Sequence, residues 1–193
     1  MTKIAVLGLG LGYSLSWVLK AQGHDVIGID LKSEAYLKPR IDNPMKHYIK
    51  KHGWAVPKFT TDYKEVKDRE LIFIFVSTPL ASGRLSTKNV EDAVESALTY
   101  NSDSHFILLS TMPIGGCDRL FSKFPEIKKK LNYVPPQIRE GRFYQTFTNP
   151  PSWQLISNNA DYAKVLEIYK GILNKRARIK IADYRVVETA KLI

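Results

Sequence analysis

The first thirty residues constrain this chain more than any other stretch. "KIAVLG" (3–8) is an unbroken apolar run that stops at a glycine. Apolarity without alternation is how a strand covered on both faces reads. Three glycines follow in alternation with leucines: Gly8, Gly10 and Gly12 around Leu9 and Leu11. "LSWVLKAQG" (15–23) then places apolar residues at 15, 18 and 19 and ends at Gly23, which predicts a helix over about 13–22 with a glycine stop. "DVIGID" (25–30) reads as a second strand, closed by Asp30. Strand, glycine turn, helix, strand and acid in that order predict two parallel strands joined by a helical crossover.

A charge at Lys3 before an apolar stretch also resembles a secretory leader. Against that reading, Gly8, Gly10, Gly12, Ser14 and Ser16 interrupt the apolar run, and no clean small-x-small cleavage site follows. The stretch is also shorter than the roughly 20 residues needed to span a bilayer. The expectation is a soluble, cytoplasmic chain with no membrane partner.

The rest of the sequence repeats the alternation. "ELIFIFVSTP" (70–79), "HFILLSTMP" (105–113) and "LNYVPP" (131–136) predict further buried strands. "NPMKHYIKKHG" (43–53) has Asn43 as cap, Pro44 at the first helical position and Gly53 as stop. "STKNVEDAVESALTY" (86–100) carries Val90, Ala93, Val94 and Ala97 on one face, and "GCDRLFSKF" (116–124) is a short helix. "SWQLISN" (152–158) and "RIKIAD" (178–183) read as strands around the helix "ADYAKVLEIYKGIL" (160–173), and 184–193 as the start of a last helix. The predicted fold is α/β: one doubly wound, mostly parallel Rossmann-type domain over 1–183, followed by that helix.

The glycine turn carries the chemistry. Gly8 would allow a tight turn, Gly10 would let backbone approach a pyrophosphate, and the helix start would offer it free N–H groups. Asp30 falls about 20 residues on, where an acid grips the adenosine ribose of NAD and repels the 2′-phosphate of NADP. In the G-x-G-x-x-G spacing the third glycine belongs at 13, but that residue is Tyr13 and the glycine is Gly12. Either the loop is one residue shorter, or Tyr13 occupies the place where helix and strand pack closely.

These stretches resemble a family. "KIAVLGLG…GHDVIGID", "FVSTPLASGRLS…VEDAVESA", "LLSTMPIGG", "YVPPQIREGRFYQTFTNP" and "ETAKLI" stand in the order of the UDP-glucose/GDP-mannose dehydrogenases, over that family's N-terminal NAD-binding domain. The resemblance implies an oxidoreductase that converts a nucleotide sugar at C6 to a uronic acid with NAD, for polysaccharide biosynthesis. It implies NAD contacts at Gly8, Gly10, Leu11, Gly12, Asp30, Ser77, Thr78, Pro79, Ser110, Thr111 and Glu140. Thr111 would hold a catalytic water, and Glu140, paired with Arg139, would act as its general base. "FTNP" (147–150) would help shape the sugar site, and the last helix would build a homodimer.

Departures accompany the matches. Pro136 stands where the family has its first glutamate, and Pro151 and Ser152 replace an acid–arginine pair. The family's cysteine motif is absent, and its lysine and asparagine are expected after Ile193. Oxidation of an aldehyde intermediate needs a thiolate, and the single cysteine, Cys117, reads instead as a small buried hydrophobe. Complete four-electron oxidation is therefore not expected of these residues alone. A stand-alone nucleotide or nucleotide-sugar binding or regulatory module is the alternative.

The balance of 29 basic against 19 acidic residues favours anionic partners. The basic residues are scattered, and no aromatic–basic RNA motif and no Cys/His metal spacing occurs. The expectation is a nucleotide-sugar partner, with no nucleic acid and no metal.

Overall fold

Ile4, Ala5, Val6 and Leu7 are all fully buried, and they divide between two cores on opposite sides of one sheet. Ile4 and Val6 face one core, Ala5 and Leu7 the other, as the two-residue period of a strand dictates. The computed structural model describes residues 1–33, 43–139 and 141–193.

Strand β1 (Lys3–Leu7), helix α1 (Gly12–Ala21) and β2 (Asp25–Ile29) form the first unit, followed by α2 (Asn43–His52) and β3 (Lys58–Thr60). Strand β4 (Leu71–Ile74) leads through a small hairpin, β5 (Leu80–Ala81) and β6 (Arg84–Leu85), into α3 (Lys88–Tyr100). Then come β7 (His105–Leu108), α4 (Gly116–Lys123), β8 (Leu131–Tyr133) and α5 (Phe143–Thr148). The chain closes with β9 (Trp153–Ser157), α6 (Ala163–Ile172), β10 (Arg178–Ala182) and α7 (Tyr184–Leu192).

Six strands make the central sheet in the order β3-β2-β1-β4-β7-β8, every neighbouring pair parallel. Residues of α1, α2, α5 and α6 pack into one core, those of α3, α4 and α7 into the other. The doubly wound fold expected from the sequence is therefore present. From β1 the order runs one way to β2 and β3 and the other way to β4, β7 and β8. Loops diverge at that reversal and leave a crevice at the carboxyl ends of the strands.

The predicted strands are longer than the observed ones. The run 70–79 pairs only over Leu71–Ile74, and 105–113 only over His105–Leu108. Apolarity reports burial, and Leu109 stays buried after it has left the ladder. Strands β9 and β10 pair in parallel with each other as a separate two-stranded sheet. Side chains, not a backbone ladder, join them to β8. Asn132, wholly buried, donates from Nδ2 to the Ser157 carbonyl at 2.6 Å, and its Oδ1 lies 2.6 Å from His105 Nε2. Ser157 Oγ accepts from the Tyr133 amide at 2.7 Å. Gln154 reaches the Pro135 carbonyl, so β9 runs back along β8 and brings Trp153 to the strand-end side of the sheet. Asn132→Ala strips the Ser157 and Ala160 carbonyls and the half-buried His105 ring of their partner and is expected to cost about 3 kcal/mol. A lowered urea midpoint at unchanged slope would register it.

Candidate functional site

The site grows from the turn between β1 and α1. Gly8 adopts φ +86°. A Cβ there would lie 2.7 Å from the Phe75 carbonyl oxygen and 2.7 Å from Val76 Cγ1. Only glycine meets both demands, a left-handed backbone and a close approach to the end of β4. Helix α1 begins at Gly12, where a Cβ would stand 2.9 Å from Val6 Cγ1. Gly12 thus performs the close helix–strand packing, and the loop is one residue shorter than the usual spacing. Tyr13 takes no part in the turn: it is buried, with its ring stacked on Phe59 of β3 at 4.5 Å and 9°.

The start of α1 faces the crevice with its N–H groups. Its cap, Leu11, makes no side-chain hydrogen bond, and the first turn holds no acidic residue. Such an end concentrates partial positive charge and favours an anion. Asp30, at the end of β2, reaches across the turn. Its Oδ2 accepts from the Leu9 amide at 2.6 Å and its Oδ1 from the Lys32 amide at 3.0 Å. Two amides leave a carboxylate with acceptor capacity for hydroxyl groups. Asp30 therefore braces the glycine turn, a task that no sequence spacing announces. Tyr63 stands nearby, its phenol pushed up by burial and then by the Asp30 carboxylate.

The ends of β4 and β7 complete the crevice. Ser77 and Pro79 are exposed and Thr78 is half-buried. Asn89, in the first turn of α3, donates to the Ser77 carbonyl at 2.9 Å and to its hydroxyl at 3.2 Å. Ser110 is buried and its hydroxyl donates to the Val76 carbonyl at 2.8 Å, so it ties the two strand ends together. Thr111, the next residue, is half-buried. Glu140 lies outside the described residues. Arg139 is exposed, its amide donating to Thr146 Oγ1 at 3.1 Å. Beside Pro113 opens a groove of about 810 Å³ between the β5–β6 hairpin and α4, rimmed by Arg84, Lys88 and Arg119 and by Leu80, Ile114 and Leu192.

Residues 2–173 match the model of the UDP-glucose/GDP-mannose dehydrogenase family, NAD binding domain. The chain belongs to this family. An uncharacterized protein of Methanocaldococcus jannaschii is 30% identical over 206 residues, a match covering 98% of this chain and 23% of that protein. UDP-N-acetyl-D-mannosamine dehydrogenase of Pyrococcus horikoshii is 25% identical, over 99% of this chain and 49% of that one. In fold, the chain superposes on a UDP-glucose dehydrogenase of Pyrobaculum islandicum with TM-score 0.81 at 22% identity, covering 99% of this chain and 48% of the other. The chain spans about half, or less, of the length of the curated relatives it matches. The matched residues correspond to that family's NAD-binding domain.

Cys117 lies in the first turn of α4. It is wholly buried, and burial first, then Glu188, pushes its thiol far above the ordinary range. Pro136 is buried, and its carbonyl accepts from Lys191 Nζ at 2.9 Å. Burial lowers the Lys191 pKa below the usual lysine value. Sequence reasoning passed over this lysine, which α7 brings to the loop after β8. It stood in the sequence only as part of "ETAKLI", with no role of its own, and its contact with Pro136 follows from the docking of α7.

Proposed function

We propose that NAD lies across the ends of β2, β1, β4 and β7, with its adenosine at Asp30 and its nicotinamide toward Thr111. Three strand spacings separate β2 from β7, about 14 Å, a distance that an extended dinucleotide bridges. Asp30 would accept from the adenosine ribose hydroxyls. The amides of the turn from Gly8 through Gly10 and Leu11 to Gly12 would receive the pyrophosphate. Ser77, Thr78 and Pro79 would line the middle of the cofactor, and Ser110 would hold Thr111 against its far end. NAD supplies a hydride acceptor for oxidation of a CH–OH carbon. Thr111 and Glu140 are the residues we assign to a water at that end, Thr111 to orient it and Glu140 as the base.

The observation that carries this reading is the Gly8 turn, closed by Asp30 and facing the open start of α1. The substrate would be a nucleotide sugar, and its uronic acid product would serve polysaccharide biosynthesis. The buried Cys117 thiol does not provide the covalent step from aldehyde to acid. We place the protein in the cytoplasm, where NAD is available. No helix among the described residues is long and apolar enough to cross a membrane. Val186 at 56% exposure and Leu192 at 44% leave α7 with apolar surface suited to a second copy of the chain.

Thermal unfolding with added nucleotides tests the reading. NAD at one hundred times its Kd stabilises by about 2.7 kcal/mol, which raises the melting temperature of a chain this size by about 5–10 °C. NADP at equal concentration is expected to do far less, because its 2′-phosphate meets Asp30. No rise with any dinucleotide would overturn the proposal and leave a non-catalytic module.

A further inference from the structure

We infer that Glu188 is a positioning residue for the nicotinamide end of the cofactor site, an inference that rests on the NAD placement proposed above. Glu188 is wholly buried on α7. Its Oε1 accepts from the Cys117 amide at 2.6 Å and its Oε2 from the Gly115 amide at 2.9 Å. Both donors belong to the segment that runs from Thr111 into α4. A carboxylate at a helix start, taking two N–H groups, combines charge-assisted hydrogen bonds with the favourable end of the helix dipole.

The same segment is held upstream. Ser110 Oγ is bound to the Val76 carbonyl, and the Met112 amide donates to the Tyr133 hydroxyl at 3.1 Å. Thr111 sits between those two attachments, and Glu188 closes the third, at the far side of Pro113. Helix α7 is fixed in turn. Arg185 grips the Asp118 carboxylate through Nε at 3.0 Å and through its terminal nitrogen at 3.1 Å, and the Tyr184 hydroxyl donates to it at 2.5 Å. One turn past Glu188, Lys191 reaches Pro136. One buried side chain therefore sets both the Thr111 turn and the register of α7 over the strand ends. Burying a carboxylate is poor value for stability alone, whereas two amide acceptors at fixed separation define a geometry.

Glu188→Gln tests the inference. Glutamine offers one acceptor, so one amide loses its partner and meets the side-chain NH2 instead. By calorimetry the variant is expected to bind NAD about tenfold more weakly, the effect of losing one modest interaction. ADP-ribose, which keeps the adenosine, the pyrophosphate and the second ribose and lacks only the nicotinamide, is expected to bind as it does to the unaltered chain. Equal losses for both ligands, or no loss for either, would overturn the inference. Absence of NAD binding by the unaltered chain would instead overturn the placement beneath it. If the glutamine variant does not melt cooperatively, Glu188→Asp keeps the charge and is expected to show the same split at smaller size. No split there, or failure of both variants to fold, makes Glu188 a residue of the fold and ends the proposal.

Discussion

Gly8→Ala is expected to abolish measurable NAD binding and to lower stability by about 3 kcal/mol. A left-handed backbone costs a non-glycine residue roughly 1–2 kcal/mol. At Gly8 the new methyl also meets the Phe75 carbonyl oxygen at 2.7 Å, and backbone cannot swing aside as a side chain would. Relief requires the turn to move away from the end of β4, which carries the amides of residues 9–12 out of the crevice. Gly23→Ala is the control. Gly23 has nearly the same φ, +84°, but nothing lies within 4 Å of its added Cβ. It should show the backbone strain alone, with NAD binding retained. Melting curves with and without NAD read both variants. A Gly8→Ala protein that binds NAD normally would show that the turn does not receive the pyrophosphate.

Asp30→Ala is expected to weaken NAD binding by at least about 100-fold, the loss of two hydrogen bonds to a charged acceptor. It removes the proposed ribose acceptor, and it also frees the Leu9 amide that the carboxylate holds at 2.6 Å. Asp30→Asn separates the two tasks. The amide oxygen can still accept from Leu9, while the negative charge that opposes a 2′-phosphate is gone. Calorimetry should find a smaller loss for NAD and a narrowed preference over NADP. An unchanged preference would show that Asp30 braces the turn without touching the ribose.

Much of the fold was legible from local pattern. Continuous apolar runs marked β1, β2, β4 and β7 because parallel strands between helices are buried on both faces. Strand ends were less legible, since the apolar run continues through Phe75 and Val76 and through Leu109, past the last paired residues. Helix α5 carried no helical signal in "RFYQTFT". Aromatic and β-branched residues are indifferent helix formers, and α5 exists because Phe143 and Phe147, stacked at 5.1 Å, are buried in the core.

In the site, the glycines and Asp30 could be found by spacing, since the turn, the helix start and the next strand are near neighbours in the chain. The shifted third glycine could not be interpreted that way. The contact of Gly12 with Val6 and the stacking of Tyr13 on Phe59 resolved it. Glu188 and Lys191 were beyond local reading, because Glu188 meets its amides more than seventy residues upstream.

The sequence by itself determined the parallel α/β order, the glycine turn and the acid after β2, because each is written in residues close enough to interact within one βαβ unit. Only the tertiary structure decided that Asp30 braces the turn, that Gly12 makes the close helix–strand contact, and that α7 locks onto α4 through Glu188. Those outcomes depend on which surfaces meet when distant segments pack, and contact across such separations leaves no periodic trace along the chain.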